Sequence, residues 1–88
     1  MPLTFIYSIS IFPIPFKHEI QLYLPLEKAR NVTIQVSDLL GLQIIQWVDT
    51  LDESLSLKTN RLQHISPGIY LMRVTGKNQF YEKKLVKE

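Results

Sequence analysis

Apolar and polar residues alternate along most of this chain, which is the period of half-buried β-strands. Between residues 4 and 12, Phe5, Tyr7, Ile9 and Ile11 fall on one face, and Thr4, Ser8 and Ser10 on the other. The pattern predicts one first strand over residues 4–12. Pro13 and Pro15 end it, because each proline removes a ladder donor and fixes φ. Ile20, Leu22 and Leu24 then alternate with Glu19, Gln21 and Tyr23, and Pro25 closes that strand. Val32, Ile34 and Val36 alternate with Thr33, Gln35 and Ser37, the β-branched residues facing inward.

Asp38-Leu39-Leu40-Gly41 reads as a turn. The aspartate can accept bonds from nearby backbone N–H groups, and the glycine can take φ > 0. Residues 42–48 are apolar on both faces, which predicts a central or doubly covered strand. Residues 50–54 are polar and predict a turn, and Leu55 and Leu57 are the inward residues of a short strand. A longer connection, residues 60–68, ends in Ser66-Pro67-Gly68. Residues 69–75 form a second strand that is apolar on both faces, and Gly76-Lys77-Asn78 is a turn signal. The last strand, residues 79–86, sets Phe80 and Val86 on one face and Tyr81 and Leu85 on the other; its lysines predict a solvated edge. The sum is about seven short strands and no helix, since the best helical candidate, residues 24–32, contains Pro25. That is the pattern of an antiparallel β-sandwich. Its predicted core is Ile20, Leu22, Val32, Ile34, Val36, Ile44, Tyr70, Met72 and Val74.

Length narrows the functional options. At 88 residues the chain is one domain, which buries only ~60–65% of its unfolded surface. Most large apolar residues must build the core, leaving little room for a catalytic cleft. There is no cysteine, which excludes disulfides, cysteine-based zinc sites and thiol nucleophiles. The net charge of +2 is too small to argue for nucleic acid. The apolar N-terminal stretch lacks the basic start and small-residue cleavage site of a signal peptide, so a targeting signal for an exported protein would lie upstream. His18 and His64 stand alone, outside any metal or catalytic spacing. Asp49, Asp52 and Glu53 do not follow a calcium-loop spacing. Trp47 is expected in the core, and the Tyr70 hydroxyl is expected to tie to a nearby backbone carbonyl. No nucleophile, acid–base pair, metal set or cofactor site can be assembled, so the chain reads as a non-enzyme.

Four pieces of sequence then stand in a telling order. They are Ile11-Phe12-Pro13-Ile14-Pro15-Phe16, the stretch Asn31-Val32-Thr33-Ile34-Gln35-Val36-Ser37-Asp38-Leu39-Leu40-Gly41, the stretch Ser66-Pro67-Gly68-Ile69-Tyr70-Leu71-Met72-Arg73-Val74, and Lys83-Lys84-Leu85-Val86-Lys87. Over residues 11–88 the chain resembles the type A C-terminal sorting domain of the type IX secretion system of Gram-negative bacteria. It departs at Ile14, where the family usually has Asn, and at Leu42, where a basic residue is common. The resemblance implies a seven-stranded immunoglobulin-like sandwich at the end of a larger exported protein. It implies recognition in the periplasm by the secretion machinery and passage across the outer membrane to the medium or cell surface. A sortase-like protease then commonly removes the domain. Residues 1–88 would be the single sorting domain, with 1–10 its first strand or a linker from the upstream cargo.

The segment from residue 77 to 88 has four lysines and two glutamates and so carries the chain's whole net charge. The plain reading is a solvated edge strand. The resemblance adds a second: Lys83, Lys84, Leu85, Val86 and Lys87 as a strand end that a receptor pairs with by β-augmentation. Pro13, Pro15, Asp38, Gly41, Gly68 and Tyr70 read as structural turn and peg residues. The rival function is an immunoglobulin-like adhesion or carbohydrate-binding module, which a row of exposed aromatic residues would favour. The long apolar stretch 4–12, followed by two prolines, could also exchange between two copies of the isolated domain as a homodimer.

Overall fold

Val32, Ile34 and Val36 do what their spacing requires. All three are buried on one face of β4 (Asn31–Asp38), while the alternate residues lie toward solvent. The same alternation buries Ile20 and Leu22 in β3 (Ile20–Tyr23), and Tyr70, Met72 and Val74 in β7 (Gly68–Gly76). The computed structural model describes residues 4–5, 10–23, 31–51, 56–76 and 79–88. The other strands among these residues are β1 (Thr4–Phe5), β2 (Ser10–Phe12), β5 (Gln43–Thr50), β6 (Ser56–Thr59) and β8 (Gln79–Lys87), and there is no helix among them.

The strands form two sheets, one of five in the order β1-β8-β7-β4-β5 and one of three in the order β2-β3-β6. Every pairing is antiparallel except that of β1 with β8, where Thr4 meets Gln79 and Phe5 meets Phe80 in parallel. One hydrophobic cluster joins the inner faces, with Ile11, Leu22 and Leu57 from the smaller sheet and Ile34, Met72 and Leu85 from the larger. Phe16, Leu51 and Leu62, from connecting segments, fill the ends of the core. The all-β sandwich read from the alternation is the fold observed.

Three local expectations need correcting. Residues 4–12 do not form a single strand: residues 4–5 and 10–12 belong to different sheets, and residues 6–9 lie outside those described. A period of two says which residues share a face but not which sheet they join. Next, β5 is the last strand of its sheet rather than a central or doubly covered one. Trp47 takes its inward side and Ile45 packs against the core, so Ile44 (41% exposed) and Val48 (64%) face outward. Ile44 is therefore the one predicted core residue outside the core. It is also skipped in the pairing with β4, where Val36 opposes Ile45 and Ser37 opposes Gln43, the mark of a β-bulge. Lastly, β7 is central, between β8 and β4, but Ile69 and Leu71 on its outer side are uncovered among the described residues. Leu24, Pro25, Leu55, Lys77 and Asn78, which carried strand-end and turn readings, lie outside the described residues.

Candidate functional site

The terminal segment is divided by the pleat of β8. Successive side chains alternate between faces, so Tyr81 and Leu85 enter the core. Lys83 and Lys84 are exposed, and Val86 is half-buried. β8 pairs with β7 along its whole length, from Gly68–Lys87 to Gly76–Gln79. On the outer face, Arg73 and Glu82 lie opposite each other with a 3.8 Å ion pair, and the Arg73 guanidinium sits 4.7 Å from the centre of the Phe80 ring. The expected solvated edge is only partial, because β1 lies along Gln79–Phe80 and Phe16 along the far end.

That far end is bolted down. The Phe16 N–H donates to the Val86 carbonyl at 3.0 Å, and the Glu88 N–H donates to the Phe16 carbonyl at 2.8 Å. Lys87 is only 7% exposed. Its ammonium donates to the Lys17 carbonyl and, at 3.0 Å, to the Gln63 carbonyl, and lies 5.4 Å from the centre of the Phe16 ring. A buried lysine is tolerated only when its charge is met by such partners. Lys87 thus ties the last strand to the loop after β2 and to the connection before β7. Pro13 and Pro15 are exposed in that loop, both after cis peptide bonds, and the loop delivers Phe16 to the core.

The turn between β4 and β5 is closed by its own backbone and by one carboxylate. Asp38 Oδ1 accepts from the Leu40 and Leu42 N–H groups, each at 2.9 Å. The Asp38 N–H donates to the Leu42 carbonyl at 2.9 Å, and the Gly41 N–H donates to the Asp38 carbonyl at 3.1 Å. Gly41 has φ 90°, the conformation expected of it. This satisfied turn holds Leu39, Leu40 and Leu42 out into solvent, Leu40 at 95% exposure. Tyr70 is a structural peg, as expected: its hydroxyl donates to the Ser66 carbonyl at 2.5 Å. Gly68 faces the same ring, and a Cβ there would lie 3.7 Å from it.

These pieces share a surface. A shallow depression of about 410 Å³ on the outer side of the five-stranded sheet is lined by Asp38, Leu39 and Gly41 of the turn, Leu71 and Arg73 of β7, and Glu82 and Lys84 of β8. Lys84 and the Asp38–Gly41 turn, 43 or more residues apart in sequence, therefore border one concavity. Lys83, on the other side of the pleat, does not line it. The exposure of Leu39 and Leu40 follows from their place in the turn, whereas that of Leu71 is hidden from the sequence, because an apolar residue on a strand reads as core unless the facing layer is known. Phe12 and Tyr23, exposed on the smaller sheet, sit on different rungs rather than in one row. Among the described residues no group of His, Asp and Glu is placed to hold a metal ion.

No curated protein and no solved structure matches the chain. The family model described as secretion system C-terminal sorting domain matches residues 10–88, which take in every strand but β1. The chain belongs to the C-terminal sorting domains of the type IX secretion system.

Proposed function

We propose that this domain is read by the secretion machinery as a folded label, through the exposed lysines of its C-terminal strand, Lys83 and Lys84, one on each side of the pleat. The observation that carries this reading is the division of the terminal segment. Lys83 and Lys84 are open to a receptor, while Leu85 and Lys87 are held inside the fold. The first two offer charge to a partner. The last two, with Val86 and its bond from Phe16, keep the strand end in place. In this reading the cargo is fused upstream of residue 1. The domain is engaged in the periplasm, crosses the outer membrane with its cargo, and is removed by a sortase-like protease once the cargo reaches the surface.

The test is a pair of variants in a reporter that carries a signal peptide and residues 1–88. K83Q/K84Q keeps the backbone and changes stability little, since exposed charges contribute little. It is expected to stay folded and export less. If it exports as the parent does, the lysines belong to a solvated edge and this reading of the site is wrong.

A further inference from the structure

A second contact surface lies at the opposite end of the five-stranded sheet. β5 is last in its strand order, and among the described residues no strand pairs with its outer edge. At eight residues it is long for an edge strand, and an unguarded edge of that kind invites pairing with another chain. The sequence Gln43-Ile44-Ile45-Gln46-Trp47-Val48-Asp49-Thr50 has no lysine, arginine or proline, and Asp49 is its single charge. That carboxylate is already engaged, by Trp47 Nε1 at 3.3 Å and by the Thr50 N–H at 2.9 Å. One natural guard is present, the bulge at Ile44, but it protects only the hairpin end. From Ile45 to Thr50 the strand pairs with β4 residue for residue, and Val48 stands on its outer face with Gln46 and Thr50 to either side.

We propose that this edge pairs with the same edge of a second copy, antiparallel, about a two-fold axis near Val48, joining two five-stranded sheets into one. A second copy fits because the edge is complementary to itself. Antiparallel pairing brings Val48 beside Val48, a β-branched pair of the kind that stabilises sheets, flanked by uncharged Gln46 and Thr50. No like charges are forced together, since the lysines of the terminal segment lie on β8, beyond β4 and β7. The nearest cation, Arg61, is stacked on the Trp47 ring at 5.5 Å, on the side of the strand opposite to Val48. The contact is one strand wide, at the low end of interface size, so the dimer forms only as concentration rises.

The experiment follows ¹⁵N-labelled residues 1–88 by sedimentation velocity and amide spectra over a concentration series reaching millimolar. The expected result is a shift toward dimer mass, with amide shifts centred on β5. Val48→Lys and Val48→Glu should each weaken association by roughly tenfold, as like charges facing across paired strands do. Each should keep the monomer spectrum, because Val48 is 64% exposed. Mixing the two variants should restore association. A monomer at every concentration overturns the proposal, as does a dimer that Val48→Lys leaves unchanged. Shifts centred on Leu39–Leu40, or on residues 4–12 as strand exchange requires, also overturn it by assigning the contact elsewhere.

Discussion

Replacing Lys87 by Met should unsettle the whole domain, although the change lies one residue from the C-terminus. Methionine keeps the length and apolar stem of the side chain, so its packing near Phe16 changes little. What disappears is the ammonium and its two carbonyl partners, Lys17 and Gln63. Hydrogen bonds to a charged group contribute about 1.5–3 kcal/mol each, and the aromatic face of Phe16 adds about 0.5–1 kcal/mol. Two effects reduce the sum. Lysine bears a desolvation cost in the native state that Met does not, and both carbonyls lie in connecting segments that water can reach after a small shift. A net loss of about 2 kcal/mol is expected, which lowers the Tm of a domain this size by about 8–16 °C. The assay is urea unfolding followed by Trp47 fluorescence and circular dichroism. The midpoint should fall while the slope stays constant, since the surface exposed on unfolding is unchanged. K84M is the matched control: it removes an exposed lysine and should shift stability by less than about 0.5 kcal/mol. If K87M and K84M unfold at the same midpoint, Lys87 does not hold the strand end, and the division of the terminal segment into reading and holding residues fails.

Gly41→Val should cost about 1–2 kcal/mol in a denaturant melt. No atom crowds a Cβ at that position, so the loss is backbone strain at φ 90°, and Gly41→Asn should recover much of it. Asp38→Ala should lose about 1–2 kcal/mol through the two N–H groups it leaves without their acceptor, visible as faster amide exchange at Leu40 and Leu42. Tyr70→Phe should lose about 1 kcal/mol with the bond to Ser66. Tyr81 behaves differently: its hydroxyl is buried with no hydrogen-bond partner among the described residues, and burial pushes its ionisation above the usual tyrosine range. Above a pH of about 10 the unfolded chain gives up that proton and the folded one keeps it, so stability falls as pH rises. Tyr81→Phe should remove this component of the alkaline loss and be neutral or stabilising at pH 7, as thermal melts across pH would show.

The parts of this fold legible in the sequence are those where one face is buried and the other wet. Val32, Ile34, Val36 and Val74 can be placed because both neighbours of each are polar or charged. Ile44 cannot. On β5 both faces are apolar, and the local pattern does not say which side Trp47 takes or that the strand is an edge. Lys87 was hidden for the opposite reason. A lysine in a charged tail reads as solvated, and the groups that hold it, the Lys17 and Gln63 carbonyls, lie 70 and 24 residues away in the chain. Backbone carbonyls leave no mark on a sequence. Turn chemistry was the most readable layer, because Asp38 and Gly41 act within five residues of each other.

Residues 1–88 should by themselves carry a protein out through the type IX machinery, and the end of the last strand should be required for it. A fluorescent protein with a signal peptide at its start and residues 1–88 at its end is expressed in a host with that machinery and in the same host lacking its outer-membrane translocon. Fluorescence is expected in the medium or on the surface of the first host. It should be retained in the periplasm of the second, and in both hosts when the reporter ends at residue 82. Equal release from the two hosts, or normal export of the shortened reporter, would contradict these expectations.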